Sequence, residues 1–173
     1  MTYTTQQVAN YFLGRAEAES MPMTQLKLIK LVFLAYGWYI AVMKSKLFNE
    51  QIEAWQHGPV VPSIYHEFKD FRSDPISRKA MDLDLDTWDF TTPEISETDN
   101  ETILVLDRVW GVYKNFSGWD LRERTHKNGT PWHQVYKQGE RGIKIKDSDV
   151  QAYFEKEIRG YLDAAKAARQ SAS

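Results

Sequence analysis

Four histidines, His57, His66, His126 and His133, are the first residues to weigh for chemistry. An imidazole moves protons near neutral pH, but hydrolysis needs it beside a nucleophile and an orienting group. The chain has no cysteine, which leaves Ser or Thr as nucleophile, and it carries no Gly-x-Ser-x-Gly elbow. Neither a Walker-type phosphate loop nor a Gly-x-Gly-x-x-Gly turn occurs. His66-Glu67-x-x-Asp70 would set two ligand types on one helix face. A metal would need a third ligand from elsewhere, and the spacing reads better as a surface pair. His57 beside Gly58-Pro59, and His126 in Arg124-Thr125-His126, fall at turn or helix-end positions and read as hydrogen-bonding orienters of loops. No catalytic, cofactor-binding or metal residue is expected, and the chain is not read as an enzyme.

Two segments are more particular than filler. In Glu53-Ala54-Trp55-Gln56-His57-Gly58-Pro59-Val60-Val61-Pro62-Ser63-Ile64-Tyr65, a glycine and two prolines set a sharp turn into a helix between Trp55 and Tyr65. In Leu121-Arg122-Glu123-Arg124-Thr125-His126-Lys127-Asn128-Gly129-Thr130-Pro131-Trp132, one helix stops, turns through Asn128-Gly129 and restarts at Pro131. These are either rigid corners that lock the core, with Trp55 and Trp132 as packing anchors, or a recognition surface built on such corners.

Charge is segregated along the chain. The net charge is -2, which argues against strong direct nucleic-acid binding by the whole chain. From Asp82 to Asp107 there are nine acids and no base, whereas Arg122 to Lys146 holds seven bases and two acids. The strip that begins with Asp82, Asp84, Asp86 and Asp89 is either a solvated loop or a surface that steers a partner.

The elements that must position these segments read as mainly α. At 173 residues and 42% hydrophobic, the chain fits one core. Thr4-x-x-Gln7 is a capping box for a helix over 5–18. Thr24 caps a second helix to Met43, apolar on every face and expected as the buried centre of the fold. Lys27, Lys30 and Gly37 interrupt that run, so a membrane span is not expected. Residues 47–55 are expected as a small β-hairpin, and Gly58-Pro59 as a turn. A helix is expected over 63–71, then an irregular stretch with one short strand over 76–93. Thr98-x-x-Glu101 is read as the capping box of a helix to about Lys114. Ser117 caps a short helix to Thr125, Thr130-Pro131 starts another, and Asp147 or Ser148 caps the last. The domain is placed at 1–168, with 169–173 as a flexible tail. The N-terminal residues lack the basic and apolar regions of a signal peptide, and the absence of cysteine suits a reducing compartment, so a cytoplasmic location is expected.

The residues together resemble the Panacea domain family, also called SocA-like or GepA-like, found in bacterial antitoxins and phage-associated proteins. The likeness runs through Ala9-Asn10-Tyr11-Phe12-Leu13, Met23-Thr24-Gln25-Leu26-Lys27-Leu28-Ile29-Lys30-Leu31 and Ala35-Tyr36-Gly37-Trp38-Tyr39. It continues through Leu47-Phe48, Glu53-Ala54-Trp55, Gly58-Pro59-Val60-Val61-Pro62, Tyr65, Thr125-His126 and Pro131-Trp132. The resemblance implies a mainly helical domain that neutralises a cognate protein toxin by direct binding, without catalysis or cofactor. One branch delivers its toxin to the ClpXP protease, so an adaptor role, or a regulatory role tied to a prophage or other mobile element, is the alternative it carries.

Overall fold

The structure, a computed structural model, describes residues 2–172. Helix α1, Thr5–Ala18, opens with the expected capping box: the Thr4 hydroxyl accepts from Gln7 N while the Gln7 side chain accepts from Thr4 N. Helix α2, Gln25–Met43, is capped by Thr24 and stops at Lys44, which is left-handed at φ 57°. Leu28, Ile29, Val32 and Phe33 are all buried, as a helix apolar on every face requires. It is the one described helix long and apolar enough to cross a membrane, and most of that surface is covered by the protein itself.

The remaining helices are α3 (Pro62–Phe68, followed by a single 3-10 turn), α4 (Asn100–Tyr113), α5 (Gly118–His126), α6 (Pro131–Val135) and α7 (Asp147–Ser171). Helices α1, α3, α4, α5 and α7 pack on α2, and α6 packs on α5 and α7. Gly37 lets α7 approach α2. A Cβ there would lie 2.2 Å from the Phe154 ring, which meets Phe33 edge-on at 5.7 Å between centroids. Lys27, buried on α2, donates to the carbonyl of Lys114 at the C-terminus of α4, where a cation also complements the helix dipole. Pro62 and Pro131 occupy the first turns of α3 and α6, where a missing N–H costs nothing.

Several boundaries differ from expectation. The first hairpin pairs β1 (Glu53–Trp55) with β2 (Gly58–Val60), so Gly58-Pro59 belongs to a strand and the turn is Gln56-His57. Residues 47–52 stay outside it, and segment 143–145 instead lies along β1, through Ala54 N to Ile143 O and Ile145 N to Ile52 O. The stretch expected to hold one short strand holds two, β3 (Asp82–Leu83) and β4 (Phe90–Thr91). The N-cap of α4 is Asp99, not Thr98: its carboxylate accepts from Thr102 N and from the Tyr3 hydroxyl, which tie the chain start to this helix. Helix α7 follows Lys146, without a side-chain cap, so neither Asp147 nor Ser148 serves as one. Asp147 lies in its first turn and accepts from the Tyr36 hydroxyl at 2.8 Å. The helix runs on to Ser171, so residues 169–171 of the expected tail are helical, and Ser173 lies outside the described residues.

Candidate functional site

The two particular segments meet at one corner. Trp132 Nε1 donates to the Trp55 carbonyl at 2.7 Å. His126 sits between the two segments, with Nδ1 2.7 Å from the Arg122 carbonyl and Nε2 3.2 Å from that of Gln56 in the hairpin turn. Its ring lies 3.8 Å from the Trp132 ring, which stacks in turn on Tyr136 at 4.5 Å. Thr130, buried, caps α6 and donates to the Thr125 carbonyl, closing the turn from α5 into α6. On the hairpin side, Trp55 meets Tyr65 of α3 edge-on at 4.9 Å, and His66 packs against both rings. Among the described residues no group of three or more His, Asp or Glu could hold a metal ion.

At the centre of the corner is a residue that hydrophobic periodicity could not single out. Lys30 of α2 is fully buried, and its Nζ donates to the Pro59 carbonyl at 3.0 Å. Gly58, at φ +107°, is the only residue type that fits above it: a Cβ would fall 2.7 Å from Lys30 Nζ and 2.9 Å from Thr125 Oγ1. Burial, reinforced by the Arg122 charge, lowers the Lys30 amine to about 7. Burial likewise lowers His57, with Arg122, Lys30 and His126 adding to the effect. His57 accepts from Arg122 Nε at 3.4 Å, and Arg122 also lies over the exposed Trp119 ring. The structure thus brings Trp55, His57, Gly58, Pro59, Thr125, His126, Pro131 and Trp132 together, with Pro62 and Tyr65 on the adjoining first turns of α3. An open groove of about 760 Å³ runs beside it, between Trp55, Tyr65, Tyr136 and loop 138–142.

Asp82, Asp84, Asp86 and Asp89 lie apart from this corner, on the β3–β4 hairpin. The Asp84 carboxylate accepts from Asp86 N and Thr87 N, and its backbone joins Trp88 N and Asp89 O, so the tip is ordered by its own residues. Trp88 is left-handed at φ 59°, rare for a bulky side chain. The base of the hairpin is held by buried Asn10 of α1, which accepts from Ala80 N at 2.7 Å and donates to the carbonyls of Ala80 and Pro93. Sequence patterning marked the aspartates but not Asn10, Trp88 or Phe90, whose significance depends on what lies opposite them in space.

Comparison with known proteins is consistent over this whole region. The model of the family described as "Antitoxin SocA-like, Panacea domain" matches residues 28–133, which include Lys30, both corner segments and the β3–β4 hairpin. The protein named Antitoxin SocA from Caulobacter vibrioides (strain NA1000 / CB15N) is 30% identical over 130 residues, covering 74% of this chain and 68% of that protein. No solved structure matches.

Proposed function

Because the chain belongs to the family of antitoxin SocA-like Panacea domains, we propose that it is the antitoxin of a bacterial toxin–antitoxin pair and neutralises its toxin by direct protein–protein contact. The observation that carries this reading is the 30% identity, across 74% of this chain, with a protein named as an antitoxin. The physical character of the corner supports it. The polar groups there are engaged with carbonyls and with one another: Lys30 with Pro59, His126 with Arg122 and Gln56, Trp132 with Trp55. Such a corner fixes the relative positions of surface elements, the property a preformed binding surface needs.

The test is coexpression. Each gene flanking the one that encodes this chain is induced in a bacterial host, alone and together with it. A flanking gene lethal alone and tolerated with this chain supports the proposal, and the two products are expected to co-elute as one complex. The absence of any such gene overturns it. Repeating the rescue in a host without ClpXP separates two modes of neutralisation. Rescue that persists means the toxin is held by binding alone, and rescue that is lost means it is delivered for degradation.

A further inference from the structure

Half of the large hydrophobic side chains that the described residues leave exposed fall in one ten-residue stretch. They are Met81, Leu83, Leu85, Trp88 and Phe90, against five scattered over the remainder of the chain. Leu85 is 70% exposed, Trp88 73% and Phe90 67%. Leu83 and Phe90 are cross-strand partners and so stand on the same face of the hairpin, with Trp88 and Leu85 at its tip. Isolated exposed apolar residues need no explanation, but a cluster of aromatics and leucines marks a surface that something covers.

The surrounding charge says what kind of surface that is. Asp82, Asp84, Asp86 and Asp89 alternate with these side chains, and no base occurs between Asp82 and Asp107. The hairpin is also preformed. Asn10 fixes both ends of it from the core, Asp84 fixes the tip, and Trp88 is held in a backbone conformation it would not choose unaided. A preformed element loses little conformational freedom on binding.

We propose that the β3–β4 hairpin is the element that docks on the toxin, and that it fits a protein face whose Lys and Arg side chains ring an apolar recess. This rests on the antitoxin reading above and assigns its contact surface. The two halves of the hairpin act on different steps. The aspartates raise the rate of encounter by long-range attraction, which is screened over about 8 Å at physiological salt. Trp88 and Phe90 enter the recess and set the lifetime of the complex, as buried aromatic anchors do.

Two variants separate these roles without disturbing the fold. In D82N/D84N/D86N/D89N each side chain keeps an oxygen acceptor, so the turn that Asp84 holds survives. In W88N/F90T, asparagine accepts the left-handed backbone and threonine suits a strand. Both are expected to melt at the wild-type temperature. Their binding is measured by stopped-flow against the product of the flanking gene that is lethal alone. The first variant is expected to associate about tenfold more slowly at low salt, with a flattened salt dependence and little change in dissociation. The second is expected to dissociate at least about tenfold faster at an unchanged association rate, and to fail in the rescue assay. If wild type rescues and both folded variants bind and rescue as well as it does, the hairpin assignment is overturned while the antitoxin reading stands. If wild type alone sediments as a dimer that W88N/F90T dissociates, the hairpin docks on a second copy and the assignment to the toxin is likewise overturned. If wild type rescues against no flanking gene, both readings fall together.

Discussion

Asn10 and Ala80, seventy residues apart, exchange two hydrogen bonds in the core, one in each direction between side-chain amide and backbone, and a third from Asn10 reaches the Pro93 carbonyl. A buried amide with its hydrogen-bonding groups engaged specifies one arrangement, because a half-satisfied one is costly. N10L is expected to leave Ala80 N and two carbonyls without a partner and to destabilise the protein by about 1–3 kcal/mol per group that water cannot reach. Amide exchange over 81–92 is expected to accelerate more than exchange in α2. Equal acceleration everywhere would mean that Asn10 supports the core at large and not the hairpin.

Gly37 and Phe154 make a second pair whose partners explain each other. A methyl group at position 37 would sit 2.2 Å from the Phe154 ring, backbone of α2 against side chain of α7. G37A is expected to cost about 1–3 kcal/mol through overpacking, and F154A about 3–5 kcal/mol through the cavity it leaves. In the double variant the new methyl fills part of that cavity, so the combined loss in urea denaturation is expected to be smaller than the sum. Strict additivity would place the two residues out of contact.

What the sequence made legible was local. Thr4, Thr24, Ser117 and Thr130 announce their helices because a cap satisfies backbone N–H groups two or three residues ahead and needs nothing from the remaining chain. Asp99 displaced Thr98 as the cap of α4 because Tyr3, nearly a hundred residues away, reaches the same carboxylate. The hairpin at 53–60 was misplaced for a similar reason: its pairing is reinforced by segment 143–145, which no local window contains. Lys30 read as an interruption in an apolar helix and is instead the buried post on which the Gly58-Pro59 strand rests. The corner residues themselves were visible, since prolines, glycines and tryptophans at turns stand out. That the two segments close on each other was not, because the contacts that join them, among them His126–Gln56, Trp132–Trp55 and Arg122–His57, each span more than sixty residues.

The space above Lys30 makes Gly58 a sensitive position. G58A combines a backbone at φ +107° with a Cβ less than 3 Å from two buried polar atoms. It is expected to cost at least about 1–3 kcal/mol by thermal denaturation, more than alanine at Gly111, where nothing lies within 4 Å of the added Cβ. Comparable stability of the two variants would remove the steric account of the corner.

The end of α7 is expected to be dispensable for folding. Residues from Tyr161 to Ser171 are helical but exposed, and the last buried side chain of the helix is Phe154. Among the described residues, deletion of 169–173 therefore removes no buried side chain, and an unchanged melting temperature is expected. A loss of several degrees would show that this end packs against something in solution.

Lys30 gives stability a pH dependence with a definite sign. In the unfolded chain its amine ionises near the ordinary lysine value, whereas in the fold burial lowers it to about 7. Below pH 7 both states carry the proton, and the folded state bears the full cost of a buried cation. Between about 7 and the unfolded value, the unfolded chain binds more protons than the folded one, so stability rises with pH. The slope for one group cannot exceed about 1.4 kcal/mol per pH unit. Other groups titrate too, notably Tyr11, Tyr36 and Tyr113, all raised chiefly by burial, which pull stability down at strongly alkaline pH. The informative quantity is therefore the difference between wild type and K30M over pH 7 to 9.5, where those tyrosines stay protonated. Methionine keeps the length of the side chain and removes the titrating amine, at the cost of the Pro59 hydrogen bond. Wild type is expected to gain on K30M steadily as pH rises through this window in urea denaturation. Parallel curves would mean that the Lys30 amine keeps its ordinary proton affinity in the fold, and that the corner admits water to it.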